Sequence, residues 1–405
     1  MEPILRCTVC AATYRGYDLK TCEKCGPWGI LEVLTPPDAQ PLEAPGAGIR
    51  RFLPMLPIPP DAPLPAPPVG DTPLVEAPRL AKALGLDRLR LKDDGRNPSG
   101  SFKDRASWVG AALARGRTAA CASTGNAASS LAAMTAALGS PSVIFVPRRA
   151  PAPKLAQLKV FGATVFRVDG TYDEAYDLCT QAIARLGWYD RNAAVNPYLV
   201  EGKKTCGLEL GEALGLPDED ADWVAVSVGD GCTITAIWKG LREMYALGLL
   251  SRLPKLLGVQ AAGSPAIFRE WMDGGDDGPA RAPSASTAET VADSICVGVP
   301  RNWRRAVRAV DESGGRMVLV SDGEIDAALR STARLGGVYG EPAAAAAVAG
   351  LSRAVKEGHV TGSAVAVITG SGLKDVAGAQ RAGGEPIDVP PELGAVIEAL
   401  ERTDA

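Results

Sequence analysis

The sequence predicts an α/β fold with two open domains built on parallel sheets, and three observations predict it. From Gly70 onward, strand-like and helix-like runs alternate, the pattern of parallel α/β layers. Three times a strand-like run breaks at a turn of small residues and continues as a helix: at 89–92, at 118–122 and at 223–228. A late strand, 364–368, ends in Thr369-Gly370-Ser371-Gly372, which delivers hydroxyls to the carboxyl end of a strand. Open parallel sheets bind ligands there.

The elements follow in order. Residues 1–34 carry Cys7-x2-Cys10 and Cys22-x2-Cys25, eleven residues apart in a turn-rich segment where Gly26 and Gly29 suit tight turns. Two such knuckles can close a tetrahedral thiolate shell, so the segment reads as a structural zinc ribbon. Local disulfides or free thiols are the alternatives, the former disfavoured in a reducing compartment. Residues 35–70 hold twelve prolines between Pro36 and Pro68 and read as an extended linker without a regular element. Residues 70–115 and 191–385 are expected to form a large domain. Residues 116–190, with strand runs at 142–146 and 164–168, form a small one, and the ligand lies between the two. A mobile loop is expected over 274–288 and a short helix in 390–405.

Bulk properties narrow the function. The 405-residue chain carries a net charge of −4 and a pI near 5.4, with no basic footprint for nucleic acid. It has no apolar run of 18 residues for a membrane span and no signal peptide, so a cytoplasmic enzyme is expected. Cys121, Cys179, Cys206, Cys232 and Cys296 show no ligand spacing and read as small buried residues. His359 is the only histidine, in a turn at the surface. Ser-His-Asp and His-metal chemistry are thereby excluded, and Lys103 is left as the proton shuttle.

The chemistry centres on 97–105, Asn-Pro-Ser-Gly-Ser-Phe-Lys-Asp-Arg. Lys103 falls just inside a helix start, with Ser101 near the cap. The positive end of the helix dipole favours its neutral amine, the form a Schiff-base lysine needs. Ser123-Thr124-Gly125-Asn126 brings hydroxyls and an amide to a second helix start, where an anion binds well. Gly229-Asp230-Gly231-Cys232-Thr233 forms a third turn, whose glycines let backbone N–H groups approach a phosphate. Asp230 would repel a phosphate, so its side chain is expected to point away. Pyridoxal phosphate uses all these pieces: a lysine for its aldehyde, a phosphate cup, and partners for its ring oxygen and ring nitrogen.

On these motifs, with Asn196-Pro197, 201–205 and 341–346, the chain over about 70–380 resembles the fold-type II pyridoxal-phosphate enzymes, most of all the threonine synthase family. The resemblance implies that Lys103 carries the cofactor and Asn126 bonds its ring oxygen. It implies that Gly229, Asp230, Gly231, Cys232 and Thr233 hold the phosphate and that Thr369 meets the ring nitrogen. Ser123 and Thr124 then bind the substrate carboxylate. The implied reaction eliminates a γ-substituent from an amino acid and adds water at the β-carbon. A homodimer is expected. The alternatives are a threonine or serine dehydratase and a β-replacement synthase of the cysteate synthase kind, which also pairs a cysteine-rich head with this core. A non-catalytic scaffold is the third class, disfavoured by the intact lysine and phosphate turn.

The family acts on O-phosphohomoserine, which implies a second phosphate site. The corresponding positions here are Ala127, Ala193, Ala194 and Leu199, all aliphatic. Weak binding of that substrate is therefore expected, unless Arg148, Lys154, Lys159 or Lys203 supplies the lost charge.

Overall fold

The computed structural model describes residues 2–44, 46–150, 152–275 and 278–403, the side chains of 152–154 and 403 excepted. Its strands are β1 (Ile4–Cys7), β2 (Thr13–Arg15), β3 (Leu31–Leu34), β4 (Leu74–Glu76), β5 (Arg88–Asp93), β6 (Ala119–Ala122), β7 (Ser142–Pro147), β8 (Thr164–Val168), β9 (Tyr189–Asp190), β10 (Trp223–Ser227), β11 (Lys255–Ala261), β12 (Arg316–Val320) and β13 (Ser363–Ile368). The helices are α1 (Pro78–Leu84), α2 (Lys103–Ala114), α3 (Asn126–Ala137), α4 (Ala152–Val160), α5 (Tyr172–Leu186), α6 (Pro197–Leu214), α7 (Cys232–Ala246), α8 (Ala266–Met272), α9 (Trp303–Glu312), α10 (Asp322–Gly336), α11 (Pro342–Lys356), α12 (Val376–Gly383) and α13 (Leu393–Thr403).

Three sheets organise them. The head is antiparallel, in the order β2-β1-β3. A six-stranded sheet runs β12-β11-β10-β13-β5-β4, and a four-stranded parallel sheet runs β8-β7-β6-β9. The large sheet is parallel except for β4, which pairs antiparallel with β5 at the edge. A parallel return needs a crossover of about a dozen residues or more. The link from Glu76 to Arg88 holds only the two-turn α1 and is shorter. Every residue of β10 is buried, Ser227 included, as a strand between two helical layers requires.

The proline-rich stretch departs from expectation. Residues Gly48–Met55 form a 3₁₀ helix. Its buried Ile49, Phe52 and Met55 stand three apart, so they eclipse on one face of a three-residue turn. That apolar face, in a segment with only Pro54, outweighs the composition of its flanks. Over 274–288 the described residues form no helix or strand, Asp276 and Asp277 lying outside them. The expected C-terminal helix is α13, with Asp404 and Ala405 outside the described residues.

Close backbone contact sets the geometry under the site. A Cβ on Gly202 of α6 would meet the Arg105 carbonyl oxygen of α2 at 2.2 Å, and one on Gly207 would meet the Ile237 oxygen of α7 at 2.3 Å. Only glycine admits this approach. An ion network locks the same layer. Arg105 Nε donates to Asp94 Oδ2 at 2.6 Å and its Nη1 to Glu209 Oε1 at 2.7 Å, while Lys92 Nζ donates to Glu209 Oε2 at 2.6 Å. All four groups are buried, so the pairs offset each other's loss of water. The head docks on this core: Tyr198 Oη donates to the Gly16 oxygen at 2.6 Å, and Lys20 pairs with Asp190 at 2.9 Å.

Candidate active site

Lys103 opens α2, and Ser101 Oγ accepts from its N–H at 3.2 Å. Residue Phe102 immediately before it donates its N–H to the Thr369 oxygen at 2.9 Å, so the carboxyl end of β13 is stitched to the lysine. Among the described residues, Lys103 Nζ has no hydrogen-bond or ion-pair partner. Its pKa falls to about 8. Burial is the largest cause, followed by the positive charges of Lys203 and Arg191. Desolvation and the neighbouring cations act in the same direction as the helix dipole invoked from the sequence, all favouring the neutral amine.

The loop after β6 presents Ser123, Thr124 and Gly125 before α3, which begins at Asn126. Ser123 Oγ accepts from the Gly125 N–H at 3.2 Å. Thr124, Gly125 and Asn126 line a cavity of about 540 Å³ shared with Ser294, Glu341 and Ser371. Asn126 Nδ2 donates to Glu341 Oε1 at 2.8 Å. Burial raises the Glu341 carboxyl above the usual range, against the lowering pull of the Asn126 bond and of Lys374 and Lys103. Lys103, the glycine turn and Thr369 lie outside that cavity's lining.

The glycine turn leads into α7. Gly231 caps it with φ +88°, and a Cβ there would meet the Asn302 oxygen at 2.8 Å. No side chain caps the helix, so its first N–H groups are left for another acceptor. The Asp230 carboxylate accepts from the Arg301 N–H at 3.0 Å, and Asn302 Nδ2 donates to Cys232 Sγ at 3.0 Å. Burial raises the Cys232 thiol above its ordinary value, against the lowering charge of Lys203. A free amine beside an uncapped, glycine-led helix start is the fit that a phosphorylated aldehyde requires.

Sequence reasoning missed Arg191 and the part played by Glu341, and offered Lys203 only as one of four nearby basic residues. Glu341 precedes Pro342 and reads as an ordinary cap, yet its side chain makes no capping bond and turns to Asn126 instead. Lys203 and Arg191 are each 2% exposed. Arg191 Nε donates to Ser107 Oγ at 3.0 Å, whereas Lys203 has no partner among the described residues. Burial lowers the pKa of Lys203, with Cys232 and Asp230 pulling the other way. Of the aliphatic positions, Leu199 is fully buried against α2, where a Cβ on Gly110 would lie 2.8 Å from its Cδ2. Arg148 is exposed and pairs with Asp169 at 3.0 Å, and Lys159 donates to the Ala163 oxygen at 3.4 Å. The Lys154 side chain lies outside the described residues.

A second cluster sits in the head. The sulfur atoms of Cys7, Cys10, Cys22 and Cys25 all lie within 4.8 Å of one another, with Cys10 Sγ and Cys22 Sγ 3.6 Å apart. A tetrahedral Zn–S length of about 2.3 Å gives sulfur separations of about 3.8 Å, so the donor set suits one ion. Of the other cysteines, Cys121, Cys179, Cys206 and Cys232 are buried as expected, while Cys296 is only half-buried.

The family model described as pyridoxal-phosphate dependent enzyme matches residues 66–372. The chain belongs to the pyridoxal-phosphate dependent enzyme family. Its relatives include the threonine synthase of Methanosarcina acetivorans, 37% identical over 412 aligned residues and covering 98% of each chain. The threonine synthase of Mycobacterium leprae is 39% identical over 82% of this chain and 89% of its own. Among solved structures, a processed threonine deaminase isoform 2 from Solanum lycopersicum superposes with a TM-score of 0.65 at 22% identity, covering 77% of this chain and 87% of that one. The structural likeness shows the pyridoxal-phosphate enzyme fold. The whole-length sequence likeness places the chain among the threonine synthase-like members, head included.

Proposed function

We infer that the chain is a pyridoxal-phosphate-dependent lyase of the threonine synthase kind, acting on an amino acid by γ-elimination and addition of water at the β-carbon. The observation that carries this reading is the unpartnered Lys103 amine, near enough to the uncapped start of α7 for Cys232 to act on its charge. The cofactor, when bound, supplies an electron sink for charge developing on the substrate. Lys103 holds it and moves protons at Nζ, its neutral form favoured by burial. Asn126, oriented by Glu341, meets the ring oxygen, and the Thr369 hydroxyl meets the ring nitrogen. Gly229, Asp230, Gly231, Cys232 and Thr233 hold the phosphate through backbone N–H groups, with the Asp230 carboxylate engaged on Arg301. Ser123 and Thr124 receive the substrate carboxylate.

Lys203 answers the loss of polar groups at Ala127, Ala193, Ala194 and Leu199. A buried, unpaired ammonium calls for an anion, and the phosphate of O-phosphohomoserine is the one this chemistry brings in. The head holds one structural zinc through Cys7, Cys10, Cys22 and Cys25. We read 70–115 with 191–385 and 116–190 as the two lobes. A cytoplasmic homodimer suits the chain: thiol ligands stay reduced there, and Leu393, Val396, Ile397 and Leu400 leave an apolar stripe of α13 exposed for a second copy.

Steady-state kinetics with O-phosphohomoserine tests the reading. Threonine and phosphate are expected in equal amounts, and Lys203→Met is expected to raise KM at least tenfold. Ammonia and a keto acid as the main products would favour the dehydratase instead.

A further inference from the structure

A cavity of about 440 Å³ lies away from the catalytic cleft, where the head and the 3₁₀ segment meet α7 and α9. Its wall combines an apolar side, including Met55, Trp238 and Leu247, with a polar side holding five cations and three glutamates. Most of those charges are paired. Arg6 bonds Glu32 at 2.6 Å, Lys239 bonds Glu201 at 2.6 Å, and Arg242 bonds Glu312 at 2.8 Å. Arg305 and Arg308 stand three residues apart on one face of α9 and form no ion pair among the described residues. Arg305 Nη1 reaches only Asn302 Oδ1 at 3.4 Å, and Arg308 Nη2 only the Thr8 oxygen at 3.2 Å. The Glu32 carboxyl stays below the usual range: burial pushes it up, but Arg305, Arg6 and Lys239 more than offset that. Thr235 Oγ1, also in the wall, is buried without a hydrogen-bond partner among the described residues.

We propose that this cavity binds a small organic anion, a phosphate or carboxylate carried on an apolar body, and that the ligand tunes the active site. Two guanidiniums with spare donors match the anion, Thr235 supplies a further donor, and the apolar wall takes the body. The route to the active site is short. Asn302 stands immediately before α9, donates its N–H to the Asp230 oxygen at 3.1 Å, and bonds the Ala194 oxygen through Nδ2 at 2.8 Å. Any shift at the start of α9 therefore reaches the phosphate turn and the 193–194 backbone. The cavity's opposite wall is α7, which begins at that same turn.

Calorimetry on the cofactor-loaded enzyme tests this, with phenyl phosphate and phenylacetate as separate probes to distinguish a phosphate from a carboxylate. One saturable site per chain is expected for at least one probe. Binding should weaken about tenfold or more in Arg308→Glu, with basal kcat within about twofold of the parent. The bound probe should shift the KM of the amino-acid substrate in the parent and not in Arg308→Glu. Should that variant fail to fold, Arg308→Gln is expected to show the same loss in smaller measure. Absence of saturable binding for both probes, or affinity unchanged in the Arg308 variants, would overturn the proposal.

Discussion

Asn126 Nδ2 donates to Glu341 Oε1 at 2.8 Å, joining the start of α3 beside the four-stranded sheet to the start of α11 behind the six-stranded sheet. The two residues are 215 positions apart in sequence. This bond fixes the amide that faces the cofactor ring in the proposed site. It follows that Glu341→Ala should leave the fold intact yet weaken cofactor retention about five- to a hundredfold, the range expected when a buried polar partner is lost. Glu341→Gln, which keeps an acceptor, should lose much less. Fluorescence titration of the apoenzyme with pyridoxal phosphate measures both, and equal affinity in Glu341→Ala would remove the positioning role.

The Lys103 pKa of about 8 sets a pH dependence. The amine is the attacking group, and it is neutral above its pKa. Covalent loading of the apoenzyme should therefore speed up as pH rises, levelling off above about 8 instead of near the ordinary lysine value of 10.5. Stopped-flow loading rates from pH 6 to 10 give the midpoint. A rate still climbing at pH 10 would show that burial and the nearby cations do not act on this amine.

The Glu209 network makes a stability prediction. Burial pushes the Glu209 carboxyl up, but Arg105 and Lys92 pull it down to about 2. A depressed carboxyl stabilises the fold fully above its unfolded value near 4.5, and the contribution fades as pH falls from there toward 2. Removing the charge leaves buried Lys92 without its carboxylate and Arg105 with Asp94 alone, so Glu209→Gln should cost about 3–5 kcal/mol near neutrality. The gap should narrow at pH 3. Urea unfolding at the two pH values checks this, and a constant gap would deny the pairing its role.

Local signals made much of this molecule readable. The run 223–228 is apolar but for Ser227 because β10 is covered on both faces, and the cysteine spacing 7, 10, 22, 25 announces a cluster that β1 and β3 hold together. The lysine turn was legible because the requirement for a helix start is written in adjacent residues. What stayed hidden depends on distant partners. Nothing near Glu341 says that Asn126 will accept its company, and Lys203 looks like one lysine of a pair until α6 buries it while Lys204 takes Glu201 and Glu243. The antiparallel edge strand β4 and the 3₁₀ helix Gly48–Met55 were missed for a related reason. Both are short, and packing against the core decides them more than propensity does.

The head makes a separate prediction. Cys22 Sγ is buried within the four-sulfur cluster and bonds Tyr14 Oη at 3.1 Å. Cys22→Ser should lower metal content from about one zinc per chain to near none and loosen the head, with the core retaining its cofactor. Elemental analysis paired with limited proteolysis reports both. A metal-free parent protein with full activity and a protected head would count against the site.

Chemical trapping shows which lysine carries the cofactor. The loaded protein is reduced with borohydride, digested, and mapped by mass spectrometry. A single phosphopyridoxyl-lysine is expected at Lys103 and, in Lys103→Ala, no covalent label with turnover reduced by at least about a thousandfold. A label on Lys203 or any other lysine, with Lys103 unmodified, would contradict it.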